Sequence, residues 1–404
     1  MHSFFDLVGF EYKKIFKRKG AILALTIVTI LSFFLPISTL IGGFYHDGEL
    51  IESYHQGMLT DREHARALAG RSVDEMLIEE VRVAYSRIPY IESGVSFVTI
   101  PEYREYARPY RQVYHILQFV YGNQFRLMRN ISSEQIENFY QIRHKNIENS
   151  INSMNISDAS KNNLIKLDSQ IKTPFIFDDI SAYDYFFSGL HTIGIIGAFA
   201  IAVCLAPIFS GEYTTRIDQQ MLSSRYGKNK IILAKLCTGI SLCVGFSLMI
   251  IFFIYSTCSI VFGIGSTNVP IQLWYPLSIY PITILQAAIL HSLCVFFATI
   301  LLGAITMFLS SIFKSPFGVI IIVTLLLFVP MMINIPDDSI LIANLLKLFP
   351  NNMMWVAITL VNYQPYELFG FSIAPYIFFP VFSATLSAIL LPLSYISFKN
   401  HQVN

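Results

Sequence analysis

Three stretches of this chain, residues 21–41, 231–262 and 317–335, carry almost no ionisable side chain. Each is close to the length of helix, about 20 residues, that covers the ~30 Å hydrocarbon core of a bilayer. Lipid offers no hydrogen bonds, so the backbone N–H and C=O groups of such runs must be satisfied internally, which makes them helices. A β-barrel would instead alternate apolar and polar residues over strands of about 10 residues, and no such alternation occurs here. Composition agrees, with 54% hydrophobic and 14% charged residues, where a soluble domain carries roughly 25% charged.

The apolar runs predict an all-α integral membrane protein with six transmembrane helices. They lie near 21–41, 186–209, 231–264, 282–309, 317–335 and 373–398. Between helices 1 and 2 stands a large, mainly helical extracytoplasmic domain. The expected division is an interfacial helix at 1–19, a first span within 20–44, the domain at 45–184, and spans 2–6 within 185–404. A loop at 210–230 and a longer outer loop at 336–372 punctuate the last part. The first apolar run exceeds the 7–15 residues of a signal peptide core and lacks an A-x-A site, so it is expected to be a retained span. Charge gives the orientation. Twelve Lys and Arg residues fall in segment 1–19, in and just after the loop that follows the second span, in the fourth–fifth loop and in the tail. The short loops on the other side, 265–281 and 336–372, hold only Lys347. Basic loops face the cytoplasm, which puts both termini inside the plasma membrane and 45–184 outside.

Within segment 1–19, Phe4, Phe5, Val8, Tyr12, Ile15 and Phe16 recur every three or four residues and form one apolar stripe of a helix. Lys13, Lys14 and Lys17 fall mostly off it. The expectation is a helix in the headgroup plane with its lysines against anionic lipid, serving as an anchor or as a lever against a cytoplasmic partner. In the outer domain, segments 60–86 and 132–153 are rich in helix formers, with Thr60 and Ser132 or Ser133 as N-cap candidates. Tyr103, Tyr106, Tyr110 and Tyr114 recur at helical spacing, with Pro109 expected to kink the helix. Such a stripe is a packing face or a platform for an amphipathic ligand, the packing face being the expectation. The domain is mildly acidic, 15 basic against 20 acidic residues. The five cysteines all lie in apolar segments, in no metal-binding pattern, and read as small buried thiols. Loop 336–372 is too long for a turn, and its apolar stretch 341–348 is either a surface helix or part of a re-entrant element. Net charge is +1, so nothing points to nucleic acid as a partner.

The loop after the second span carries the functional signal. It reads Phe209-Ser-Gly-Glu212-Tyr-Thr-Thr-Arg216, continues through Leu222-Ser223-Ser224-Arg225-Tyr-Gly227-Lys228, and enters the third span at Lys235. Glu212 sits where the second span leaves the membrane, a costly place for a carboxylate unless it is paired or hydrated. A short polar helix hung between two spans can pass a push from a soluble partner into both. These positions resemble the permease subunits of type-2 ABC (ABC-2) exporters, whose loop runs Phe-x-x-Glu, a gap, Leu-Leu-Ser-Ser, then Arg and Gly-Lys. Arg216-Ile217 stands where many members have Gly-Thr. The resemblance implies a separate cytoplasmic ABC ATPase that binds ATP and Mg. It also implies docking on Glu212 and the 213–228 helix (Arg216, Leu222, Ser223, Ser224, Arg225, Gly227, Lys228), and a second permease copy or sister chain. This chain has no G-x-x-x-x-G-K-[ST] phosphate loop and no cofactor or metal of its own is expected.

An enzyme would need chemistry at the near-membrane polar residues His191, His291 and Glu212. Gln286 falls on roughly the same side as His291, but no serine, aspartate or H-E-x-x-H spacing accompanies it. A helix–helix hydrogen bond is the expected role. A secondary transporter would show internal repeats and charged, broken spans, which are not seen. The remaining alternative is a membrane-anchored sensor or immunity protein whose outer domain binds a peptide. Such an anchor would have no need of the 210–230 loop.

Overall fold

The computed structural model describes residues 4–89, 96–122, 128–217, 227–333, 340–368 and 371–401. Helix α1 (Phe4–Lys17) ends at Arg18, whose extended backbone separates it from α2 (Lys19–Ser38). A hairpin, β1 (Gly43–His46) with β2 (Glu49–Ser53), then opens the domain. Its helices are α3 (Tyr54–Leu68), α4 (Glu75–Ser86), α5 (Arg111–Tyr121), α6 (Ser133–Glu137), α7 (Phe139–Asn152) and α8 (Asp158–Ser169). The chain returns to the bundle through α9 (Ser181–Leu205), α10 (Pro207–Thr214), α11 (Ile232–Phe262), α12 (Ile284–Ile312) and α13 (Pro316–Phe328). Two short helices, α14 (Ile340–Lys347) and α15 (Pro350–Met353), and a second hairpin, β3 (Tyr366–Leu368) with β4 (Phe371–Ile373), lead into α16 (Pro375–Lys399).

Among the described residues, five helical stretches are long and apolar enough to cross a membrane: Lys19–Ser38, Ser181–Thr214, Asn229–Phe262, Ile284–Ile312 and Pro375–Lys399. The fifth expected span, 317–335, is instead a shorter apolar helix, Pro316–Met332. Its α-helical part stops at Phe328 and Val329–Met332 tighten into a 3₁₀ turn around Pro330, which has no N–H to continue the ladder. At 1.5 Å per residue the 17-residue stretch rises about 25 Å, short of the ~30 Å core.

Helix α9 is the hub. Its glycines let neighbours approach closely, as small residues do between membrane helices. A Cβ added at Gly197 would lie 2.4 Å from Ile250 of α11, and one at Gly194 would lie 2.9 Å from Val295 of α12.

In the domain, expected segment 60–86 is two helices and not one. Gly70 (φ +82°) turns the chain between them. The N-caps are Ser53, with Gln56 completing a capping box, and Asp74; Thr60 lies inside α3. Ser132 caps α6 as expected, through a second capping box with Gln135. The tyrosine stripe is split at Pro109 into a π turn at Tyr103–Ala107, a 3₁₀ turn at Arg108–Tyr110 and α5. Tyr103 and Tyr114 are buried, and Tyr85 stacks on Tyr114 with ring centroids 3.9 Å apart. That makes the stripe largely a packing face.

Two buried arginines hold this domain. Arg108 donates to Asp61 at 2.7 Å and to the Gly57 carbonyl at 3.1 Å, and pairs with Glu52 at 2.9 Å. Arg143 donates to Asp168 at 2.8 Å and to the carbonyls of Pro276 and Ser278 at 2.6 and 2.7 Å. The second set fastens the domain to the connection between α11 and α12.

Candidate functional site

At the basic end of the bundle four charged side chains from three elements meet. The Glu212 carboxylate accepts from Lys14 at 2.8 Å and from Lys235 at 2.6 Å. Glu11 accepts from the same two amines, at 3.0 Å from Lys14 and 2.9 Å from Lys235. Lys235 also donates to the Ile208 carbonyl at 2.9 Å. Glu11, Glu212 and Lys235 are buried, Lys235 being 1% exposed. Two carboxylates and two ammonium groups balance, and each partner is hydrogen-bonded, the condition for holding ions away from water. Burial by itself would lower the Lys14 ammonium, but Glu11 and Glu212 outweigh that and hold it above its ordinary value.

Local sequence explains why these groups converge. Pro207 starts a fresh helical turn after α9 and points Glu212 back toward α11. Ser310 of α12 braces that turn, its hydroxyl accepting from the Phe209 and Ser210 N–H groups at 3.0 Å each. Tyr213 donates to the Ser311 carbonyl at 2.8 Å and its ring packs on Phe398. The end of the second span is thereby fixed to α1, α11, α12 and α16 at once.

The expected site residues divide as follows. Glu212 is at the centre of the cluster, buried within the chain. Arg216 is exposed on a left-handed backbone (φ +56°) where the helix ends. Leu222, Ser223, Ser224 and Arg225 lie outside the described residues. Gly227 and Lys228 open the π turn Gly227–Ile231 that leads into α11. On α1, Phe5 and Phe16 are exposed, as are Lys13 and Lys17. Tyr12 is half-buried, its hydroxyl 2.8 Å from that of Ser241. Lys14 departs from the expectation: it is turned into the protein and paired, not facing lipid. The residue that sequence reasoning missed is Glu11. Its signal was a carboxylate at i+3 from Val8 and i−4 from Ile15, on the apolar stripe itself, with a lysine three residues on.

At the opposite end the long loop before α16 packs in among the helices of the bundle. Ser383, eight residues into α16 and so about 12 Å along it, bonds to the Met353 sulfur at 3.2 Å. A Cβ at Gly194, thirteen residues into α9, would lie 3.7 Å from the Met354 sulfur. Asn351, Asn352, Met353, Met354 and Thr359 are all buried. Irregular backbone at this depth is tolerated where protein surrounds it, and α9, α12 and α16 do so here. His291 is fully buried beneath the segment, with Nδ1 3.5 Å from the Thr359 hydroxyl. His191 stacks on Trp355. Gln286, expected beside His291, is instead used in the capping box that starts α12 with Thr283.

Compared with known proteins, residues 102–390 match a family described as ABC-2 family transporter protein. No curated protein and no solved structure matches the chain.

Proposed function

Since the chain belongs to the ABC-2 transporter family, and so is a multi-pass membrane protein, we propose that it is the permease subunit of an ATP-driven exporter. In this reading Pro316–Met332 completes a six-span set, the basic end faces the cytoplasm and residues 45–184 lie outside. A separate ABC ATPase docks on the loop 210–230, and a second permease copy or sister chain completes the pathway. Cargo is amphipathic, such as an antimicrobial peptide or a lipid-like molecule.

The observation that carries this reading is the buried Glu11–Lys14–Glu212–Lys235 cluster. Glu212 stands where the loop begins and Lys235 just past where it ends, so a push on that loop reaches α1, the second span and the third span together. Glu212 acts here as the internal tie, and the exposed Arg216 with the residues that follow forms the contact surface. Charge pairs suit the task, because they hold a fixed geometry at rest and can exchange partners when elements shift.

The two roles separate experimentally. In membranes containing the co-expressed ATPase, Arg225→Glu should cut the ATPase retained on the tagged chain at least tenfold. Glu212→Gln should keep the ATPase bound while changing its hydrolysis rate. Retention equal to wild type in Arg225→Glu, with hydrolysis unchanged in Glu212→Gln, would remove the loop from the coupling path.

A further inference from the structure

Where the outer domain meets the bundle, two adjoining cavities of about 330 and 390 Å³ share Arg111, Gln112, Ser181 and Tyr185 as walls. Ligand pockets begin at about 300 Å³. Their level is set by helix ends: Ser181 starts α9, Phe262 ends α11, and Leu40 lies just past α2. If those helices cross the bilayer, the cavities sit at the height of its headgroups.

The chemistry of the walls is specific. The Gln112 amide nitrogen donates to Asp179 and to the Ser181 hydroxyl, each at 3.0 Å. A carboxylate can only accept, so the amide orientation is fixed, and its oxygen is left buried and without a partner among the described residues. That oxygen calls for a donor. Nearby, the Asp184 carboxylate accepts from the Trp274 indole N–H at 2.9 Å. Trp274, Tyr275 and Tyr185 present aromatic surface on the same cavity. They are held in place by neighbours, Tyr185 stacked on Phe262 at 3.8 Å and Tyr275 edge-on to Phe119 at 5.5 Å. Aromatic faces with a carboxylate and an unsatisfied acceptor favour an ammonium group. Arg111 stands on the shared wall, its side chain half exposed while paired with Asp61, and offers a guanidinium for a phosphate. His115 registers both charges: burial and Arg111 lower its imidazole below the ordinary value, with Asp184 acting against them.

We propose that this cavity binds the zwitterionic headgroup of a membrane phospholipid, with its phosphate at Arg111 and its ammonium between Asp184, the Gln112 oxygen and the Trp274–Tyr275 wall. A lipid bound there bridges the outer domain to the first three spans. The inference depends on the membrane reading and not on the ATPase.

The test uses the full chain in nanodiscs of phosphatidylglycerol, which lacks an ammonium group. Trp355→Phe leaves Trp274 as the only tryptophan, since the chain has two. Lysophosphatidylethanolamine should then shift Trp274 emission saturably, and lysophosphatidic acid should bind at least tenfold more weakly. Asp184→Asn retains an acceptor for the indole and should lose that tenfold preference; Arg111→Gln should weaken both lipids. Equal binding of the two lipids, or a preference untouched by Asp184→Asn, overturns the site. Saturation by O-phosphoethanolamine as tight as by the lysolipid would overturn the lipid as its source. Unchanged circular dichroism in each variant separates these results from misfolding, and retained binding of the ATPase separates them from failure of the exporter reading.

Discussion

The two ends of this molecule bury charge in different ways. At the domain end, Arg143 forks onto one carboxylate and two backbone carbonyls, and Arg108 does likewise with Asp61, Glu52 and Gly57. At the basic end, two lysines sit between two glutamates, with one carbonyl as an additional acceptor. A guanidinium is planar and fits its acceptors in one geometry, while an ammonium on a flexible stem tolerates several. The arginine sites therefore hold the domain between the first two spans in one geometry, and the lysine cluster ties three helices through contacts that tolerate several.

The largest expected effect is at the rigid end. Arg143→Ala leaves buried Asp168 with His144, 2.6 Å away, and strips the Pro276 and Ser278 carbonyls of their donor; removing one partner of a buried pair costs about 3–5 kcal/mol. Thermal unfolding in detergent should show that loss, and Arg143→Lys should recover little of it. Full recovery by lysine would erase the contrast drawn between the two ends. At the basic end, Lys235→Met should cost less, on the order of 2 kcal/mol, because Lys14 still donates to both glutamates and the nearby Arg18 guanidinium is attracted to them as well. A double-mutant cycle between Glu11→Gln and Lys235→Met should show coupling of about 0.5–3 kcal/mol.

A second fully buried amine sharpens the comparison, for it has no carboxylate partner among the described residues. Lys347 is 2% exposed and is bonded to the Gln364 side-chain oxygen; burial lowers its ammonium to about 8. The unfolded chain holds that proton more tightly, so stability should rise with pH from about 8 to the ordinary lysine range and flatten beyond it. Lys347→Met should abolish that rise and add on the order of 1 kcal/mol at neutral pH. A stability curve with the same slope in the variant would show that Lys347 is not its source. The smallest effect belongs to exposed Lys13: Lys13→Ala should change stability by no more than about 0.5 kcal/mol.

Much of this was legible in the sequence. Apolar length alone located five long helices to within a few residues of most ends, because a bilayer-spanning run has few alternatives. Glu212 stood out because a carboxylate at a span end is costly, and the structure supplies the pairing that offsets it. Its partner Glu11 was hidden, since a stripe drawn from aromatic and aliphatic residues passes over a carboxylate whose burial depends on an element 224 positions away. The shortened fifth apolar helix was hidden for a related reason. Residues 317–335 are apolar enough to span, and only the turn at Pro330 shows where the helix stops. The stretch around Met353 was half legible: loop length and prolines announced irregular backbone, but its packing against α9 and α16 depends on long-range contacts of Met353 and Met354. The tyrosine stripe at 103–114 is a packing face at Tyr103 and Tyr114, which are buried, while Tyr106 and Tyr110 are half-buried and line a cavity.

The most direct measurement is affinity purification of the tagged chain from its native membrane in gentle detergent, followed by mass spectrometry and an ATPase assay. The account predicts a stoichiometric ABC ATPase that co-purifies, hydrolyses ATP and is lost with Arg225→Glu. A chain that purifies alone, without ATPase activity, would contradict the exporter reading and leave an anchored binding protein in its place.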